Sequence, residues 1–333
     1  MSLVADYFVT VGAQDPNELV IGSDMYAAVV LDRYPPQETS PFPNGLAMFC
    51  FPEGGIAVTD RMEMPKFFEF VTTGGHGTHL FGFVLLMYEP MKDGWYTPQM
   101  KSQGKLLYLP KALCVLSQFP FRSQFRQFLT QLYRISLSPV VLPLERLISN
   151  FISEVPMPPA GKIRVLYQIG DLEINFTRPA PNNPLSWTDI AFQEVFECLS
   201  LENILMVLSA VLTERQIIIR STQHSLLSAL SEVIRVLIYP FIWDHVYIPV
   251  LPLQLVMVLQ APLPFIIGVH DTTFRLSKEQ GTWQVSPTAV IVNMDNNRVS
   301  ASGPEFEVIP LPDSKKLLTR LQLCAPVFAN RPA

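Results

Sequence analysis

The stretch Tyr239-Pro-Phe-Ile-Trp-Asp-His-Val-Tyr-Ile-Pro-Val-Leu-Pro-Leu253, continued by Gln260-Ala-Pro-Leu-Pro-Phe-Ile-Ile-Gly-Val-His270, decides how the chain folds. Between Asp244 and Asp271 it carries no carboxylate, Lys or Arg. Hydropathy alone would make it a membrane span. Pro249, Pro252, Pro262 and Pro264 argue against that, because each removes a backbone donor that lipid cannot replace. The residues describe instead a chain threading a large core. They give a corner at Pro240, an extended piece at Val246–Ile248, an apolar segment around Leu255–Leu259 and a buried strand at Phe265–Val269. Asp244 and His245 are the polar residues in this setting. They read either as a buried pair satisfying turn amides near Pro249 or as a pair facing a partner.

Upstream of this stretch the pattern is helical. Leu201, Ile204, Leu205, Leu208, Val211 and Leu212 share a face behind Ser200, a favourable N-cap, with Glu202 in the first turn. Gln216-Ile-Ile-Ile-Arg220 is short, β-branched and continuously apolar, as in strands covered on both faces. Leu226, Leu227, Leu230, Val233, Ile234, Leu237 and Ile238 then make an amphipathic helix ending at Pro240. With Phe265–Val269 beyond it, this is a strand–helix–strand unit with an expected right-handed crossover. Downstream, Ala289–Met294 reads as a strand turned at Asp295–Arg298, and Leu317, Leu318 and Leu321 mark a last helix. Ile163–Tyr167 and Leu172–Phe176 bracket Gly170-Asp171 as a hairpin of the same lobe. Trp187–Leu199 is mixed, although Phe192, Val195 and Phe196 suit a helix face. This lobe is α/β with a partly parallel sheet.

The N-terminal half is organised differently. Asp6–Gly12 is an opening strand. Gly45–Phe51 with Ile56–Thr59, and Phe67–Val71 with His79–Tyr88, are predicted hairpins of one mainly antiparallel sheet. Leu106–Leu116 is a further strand, in which Pro110 points to an edge or a bulge. The period then changes: Phe121, Phe125, Phe128, Leu129, Leu132 and Tyr133 recur at helical spacing, as do Leu144, Leu147, Ile148, Phe151, Ile152 and Val155. Strands followed by helices give an α+β lobe, with the Phe stripe in its core.

Composition supports two lobes. The chain has 333 residues, more than one core usually organises. It is 49% apolar and 16% charged, which excludes disorder. A net charge of -5 leaves no footprint for nucleic acid. Thirty prolines cluster in loops, and the run Val155–Gly161 marks the boundary between lobes 1–155 and 162–333. The N-terminus shows no signal peptide. Cys50, Cys114, Cys198 and Cys324 form no C-x-x-C pair and read as reduced, buried thiols of a cytoplasmic protein.

Chemistry is sparse. His76 and His79 stand three apart in a glycine-rich turn without a carboxylate or Cys at ligand spacing, so two solvated histidines are favoured over a metal site. No glycine fingerprint, phosphate loop or Gly-x-Ser-x-Gly elbow is present. Ser221 with His224 and His245 can be imagined as a hydrolase site, but Ser221 is better explained as an N-cap. Arg215 and Arg220 flank one strand and could line a crevice, or pair with Glu214 or Glu232 at the surface. Neither a cofactor nor a resident metal is expected.

Ser200-Leu-Glu-Asn-Ile-Leu205, Thr213-Glu-Arg-Gln-Ile-Ile-Ile-Arg-Ser221, the run Leu237–Pro252 and Ala261-Pro-Leu-Pro-Phe-Ile-Ile-Gly268 together resemble the central part of a DENN domain. Ala5-Asp-Tyr-Phe-Val9, Leu31-Asp-Arg-Tyr-Pro35, Phe81-Gly-Phe-Val-Leu85 and Leu109–Ser117 are similar to that family's upstream module. The resemblance covers about residues 4 to 322. It implies a longin-like α+β lobe followed by an α/β lobe, acting as a guanine-nucleotide exchange factor for a Rab-family small GTPase in membrane trafficking. Recruitment to vesicle or endosomal membranes would be peripheral, through partners. Family members usually continue into a third, helical module. The chain stops about ten residues after the helix at Leu317, so it is either a fragment or a shortened member. The GTPase-binding residues expected on this basis are Phe121, Arg122, Glu214, Arg215, Trp243, Asp244, His245, Pro262 and Pro264. The rival readings are a two-lobed adaptor that binds a GTPase or another DENN-like subunit without exchange, and a GTPase-activating protein whose arginine finger is Arg122 or Arg164.

Overall fold

The computed structural model describes residues 2–15, 25–38, 40–73, 79–96, 100–101, 104–139, 143–182, 187–189, 192–279, 281, 285–303 and 309–324. His76 lies outside them. The chain divides into two compact units, Met1–Pro184 and Leu185–Ala333. It is α/β overall, with several sheets.

The first unit is built on β1 (Tyr7–Gly12), β2 (Met25–Tyr26), β3 (Val29–Tyr34), α1 (Leu46–Cys50), β4 (Ile56–Ala57), β5 (Lys66–Thr73), β6 (His79–Pro90) and β7 (Tyr108–Ser117). These are followed by α2 (Arg122–Ser136), α3 (Leu144–Glu154), β8 (Arg164–Ile169) and β9 (Leu172–Thr177). Its main sheet has the order β3-β1-β7-β6-β5, all antiparallel. The β5–β6 hairpin forms as the sequence predicts. The first predicted hairpin does not. Leu46–Cys50 is helical, and Ile56–Ala57 pairs with Met25–Tyr26 in a separate two-stranded sheet. A run of apolar residues too short to show a period fits a buried helical turn as well as a strand.

Pro110 lies within β7, which is an inner strand. β1 pairs with β7 only as far as Ala112, so the proline sits where that flank has no β1 partner. The Phe stripe of α2 is core. Phe125 meets Phe83 of the sheet at 4.8 Å, and Phe128 stacks on Phe151 of α3 at 3.7 Å. Phe176 of β9 packs on Phe121, Phe125 and Phe151. Each such ring pair is worth roughly 0.5–1.5 kcal/mol beyond its buried area. This packing holds the β8–β9 hairpin, read from the sequence as part of the second lobe, within the first unit, which runs on to Pro184.

The second unit comprises α4 (Phe192–Cys198), α5 (Leu201–Leu212), β10 (Gln216–Ser221), α6 (His224–Leu237), β11 (Val246–Ile248), β12 (Phe265–His270), α7 (Asp271–Glu279), β13 (Val290–Asn293), β14 (Arg298–Ala301) and α8 (Ser314–Cys324). Its sheet has the order β11-β12-β10-β13-β14, parallel throughout except for the β13–β14 turnback. Ile217–Ile219 and Phe265–Ile267 are fully buried, as strands covered on both faces require. The proline-bounded stretch behaves as its composition demands: β11, a 3-10 segment Leu253–Gln260, then β12. No single helix among the described residues is long and apolar enough to cross a membrane.

Gly268 shows why that stretch fits. A Cβ there would stand 1.9 Å from the Pro249 carbonyl and 2.9 Å from Leu227 Cβ of α6. Only glycine lets strand, proline turn and helix come so close. The cysteines divide: Cys50 and Cys114 are buried, Cys198 is intermediate and Cys324 exposed, so the expectation of four buried thiols holds for two.

Candidate functional site

Parallel strands start at one end of their sheet. The register Gln216↔Phe265 and Val246↔Phe265 therefore aligns the entries of β10, β12 and β11. Seven expected site residues immediately precede these strands: Glu214 and Arg215, Pro262 and Pro264, and Trp243, Asp244 and His245. The fold brings them to a common edge although the first and the last are 50 positions apart in sequence.

Local chemistry fixes each entry. At the end of α5 the Thr213 hydroxyl donates to the carbonyls of Ser209 and Ala210, at 2.9 and 3.2 Å. Glu214 adopts a left-handed φ of 51°, and the amides of Glu214 and Arg215 donate to Val211 and Ala210. The helix is thereby closed and the chain swung directly into β10. Gln216 Nε2 donates to the Ala261 carbonyl at 2.6 Å and ties β10 to the Pro262–Pro264 loop. Trp243 Nε1 donates to the Val246 carbonyl at 3.2 Å, and its ring meets the His245 ring edge-on at 5.1 Å. His245 Nε2 lies 3.4 Å from Glu214 Oε1, an ion pair when the imidazole is protonated. It reaches from the β11 entry to the β10 entry, past β12. Both partners are solvated, so the pair contributes about 0–1 kcal/mol.

Asp244 is exposed and His245 pairs with Glu214, which overturns the reading of the two as a buried pair at Pro249. Arg220 pairs with Asp271, not with Glu214 or Glu232, and its guanidinium lies 3.9 Å over the Phe274 ring. The hydrolase geometry fails as well. Ser221 ends β10 while His245 stands before β11, at the opposite end of the parallel sheet. The Ser221 hydroxyl donates to Asp295 Oδ1 at 2.7 Å and accepts from the Gln223 amide, one residue before α6, whose N-cap is Gln223.

Phe121 and Arg122 belong elsewhere. Both lie inside the first unit, 2% and 7% exposed, with Arg122 Nε 3.2 Å from the buried Glu69 carboxylate. They have no surface to offer a GTPase, and Arg122 is equally unable to act as an arginine finger. An apolar helix face and an adjacent basic residue look alike in sequence whether they serve a core or a partner.

The sequence reading missed the most exposed apolar side chains of this edge. Phe241 and Ile242 are 67% and 88% exposed, with Tyr239 half exposed beside them in sequence. Leu263 is exposed in the neighbouring loop. The signal was present: four apolar residues within the turn Tyr239–Trp243 cannot all be buried in so short a connection. The turn is held from both ends. On its α6 side, Glu232 accepts from Tyr247 Oη of β11 at 2.6 Å and from Arg235 Nη1 at 2.8 Å. Burial, and then the Glu232 carboxylate, push the Tyr247 phenol well above its ordinary range, so it stays a donor. A cleft of about 530 Å³ opens beside the Pro262 loop, lined by Gln216, Leu259–Pro262, Gly281 and Ser286. Among the described residues no set of three His, Cys, Asp or Glu donors converges on this edge.

The edge offers anchored apolar side chains with a few charges around them, an arrangement that suits binding a partner surface. Residues 108–297 match the DENN (AEX-3) domain and residues 28–87 the uDENN domain. The chain is 30% identical over 342 aligned residues to the DENN domain and WD repeat-containing protein SCD1 of Arabidopsis thaliana, covering 95% of this chain and 27% of that protein. The chain thus spans about a quarter of the curated relative it matches. With more than half its length matched by the domain, it belongs to the DENN family.

Proposed function

We propose that the chain is a guanine-nucleotide exchange factor for a Rab-family small GTPase, with the strand-entry edge of the second unit forming part of its GTPase contact. The observation that carries the reading is the exposed Phe241-Ile242 pair, fixed between α6 and β11 within the family's most specific sequence run. A GTPase switch region presents apolar side chains with polar neighbours, and Phe241, Ile242 and Leu263 with Glu214, Arg215 and Asp244 around them complement such a surface. Exchange then needs no covalent step. The factor binds the GTPase more tightly without nucleotide than with it, moves switch I away, and so weakens nucleotide and Mg²⁺ binding. By linkage, incoming GTP displaces the factor. The first unit corresponds on this reading to the longin-like upstream module, and action at trafficking membranes follows from the GTPase that is served.

The test follows release of fluorescent GDP from a panel of Rab proteins with and without the chain, with GTP hydrolysis measured in parallel. Faster GDP release from at least one Rab, with hydrolysis unchanged, is expected. If a Rab binds without losing nucleotide faster, the chain is an adaptor. If hydrolysis accelerates instead, it is an activating protein.

A further inference from the structure

One face of the first unit's sheet is only partly covered. Phe83 of that sheet meets Phe125 near the start of α2, but the apolar stripe of α2 ends at Leu132, and the next turn presents Ser136 and the exposed Leu137. Beyond that point the sheet is left with a cleft of about 520 Å³. The register places the strand residues that line it on a common face. Phe8 and Thr10 of β1 stand opposite Tyr34 and Asp32 of β3, Thr10 stands opposite Leu113 of β7, and Met87 of β6 stands opposite Lys111. Leu132 of α2 and Ile148 of α3 close it from above. This size and an apolar floor with few polar groups are the marks of a small-molecule site.

The charges around the cleft are not balanced. Lys111 Nζ is held 3.3 Å from both oxygens of Glu89. The Arg33 guanidinium donates to the Pro36 carbonyl, pairs with Glu38 and stacks on Phe42. Both cations that line the cleft are thus engaged. Its other two carboxylates, Asp32 and Glu145, are exposed and form no ion pair among the described residues. Among the described residues, Asp32 Oδ1 accepts from the amide of its neighbour Arg33, at 2.8 Å.

We propose that this cleft binds a small amphiphilic cation: an aromatic or branched aliphatic body on the Phe8, Met87 and Leu113 floor, with an ammonium or guanidinium group drawn to the Asp32 and Glu145 carboxylates. The site lies wholly within the first unit and is independent of GTPase binding. An anionic ligand is disfavoured by the same charges, and a neutral one leaves them unused.

The full chain, labelled at Leu, Met and Ile methyl groups, is titrated with 4-phenylbutylamine, 4-phenylbutanol and 4-phenylbutyrate while the methyl signals of Met87, Leu113, Leu132 and Ile148 are followed. The amine is expected to shift these signals at millimolar concentration or below. It should bind at least threefold more tightly than the alcohol and tighter still than the acid. Asp32→Asn with Glu145→Gln should erase the preference for the amine over the alcohol while keeping the melting temperature. Ile148→Trp, at a half-buried wall position, should fill the cleft and abolish all binding. The proposal is overturned if the acid binds as well as the amine, if the preference survives loss of both carboxylates, if a folded Ile148→Trp protein still binds, or if no probe moves these methyl signals.

Discussion

The two ends of the parallel sheet in the second unit are made by the same strands and are chemically unlike. At the exit end, Asp271 pairs with both Arg220 and Arg275, Asp295 takes the Ser221 hydroxyl and the Thr222 amide, and His270 Nε2 meets the Thr222 carbonyl at 3.0 Å. That end is rich in polar groups paired with one another. The entry end holds Phe241 and Ile242 in water, with the solvated Glu214–His245 pair spanning it. In open α/β sheets the usual ligand position is the exit end. Here the exit end spends its polar groups on itself, and the entry end is left with apolar surface. A partner gains more by covering exposed Phe and Ile than by breaking bonds already made.

Four experiments break or sharpen that contrast. The largest effect is expected from Phe241→Ala with Ile242→Ala. Truncating two central anchors should cost about 2–4 kcal/mol of GTPase binding, slowing exchange by roughly thirtyfold or more. The melting temperature should hold, since neither side chain is buried. A fall in stability that tracks the fall in exchange would return both residues to the core. Next is Gly268→Ala, which affects both ends through the strand between them. Forcing a methyl group against the Pro249 carbonyl should cost about 1–3 kcal/mol or more in chemical denaturation. An unchanged midpoint would show that the proline turn can yield.

At the exit end, Asp295→Ala strips the fully buried Ser221 of its acceptor and should cost about 1–3 kcal/mol of stability. Exchange by the protein that remains folded should be unaltered. Slower exchange per folded molecule would mean that the exit end takes part in GTPase binding. The smallest effect concerns pH. The folded-state pKa of Tyr247 is raised above the unfolded value near 10, so its bond to Glu232 stabilises fully below about pH 10 and is lost as pH climbs above that. Tyr247→Phe should cost about 1 kcal/mol at neutral pH and make the melting temperature fall less steeply above pH 10. Some slope should remain from Tyr88 and Tyr167, both pushed up to about 12 by burial first. An identical alkaline slope in the variant would assign the loss to groups other than Tyr247, the phenol of Tyr26, also raised by burial, among them.

Sequence periodicity carried much of this fold because it reports burial directly. The β-branched run Gln216–Arg220 read as a doubly covered strand because Ile at three successive positions favours the pleat, and the spacing from Leu226 to Ile238 read as a helix with one apolar face. Ser200 caps α5 as its side chain predicts, accepting from the Asn203 amide. Leu46–Cys50 misled because five apolar residues do not span enough of either period. The entry-end residues from Glu214 to Pro264 were expected at a partner surface on family resemblance, and the structure adds that they stand before three neighbouring parallel strands. Phe121 and Arg122 were misplaced because sequence does not say which neighbour an apolar face finds.

What the sequence determined by itself was local: which segments are strands or helices, that the proline-bounded stretch from Tyr239 to His270 cannot be a membrane helix, and which family the chain resembles. Those properties depend on residues a few positions apart. Only the tertiary structure decided that three loops, separated by tens of residues, meet at one strand-entry edge, that the β8–β9 hairpin packs with the first unit, and that Arg122 faces Glu69. These depend on strand order and on long-range packing, which a linear pattern does not encode.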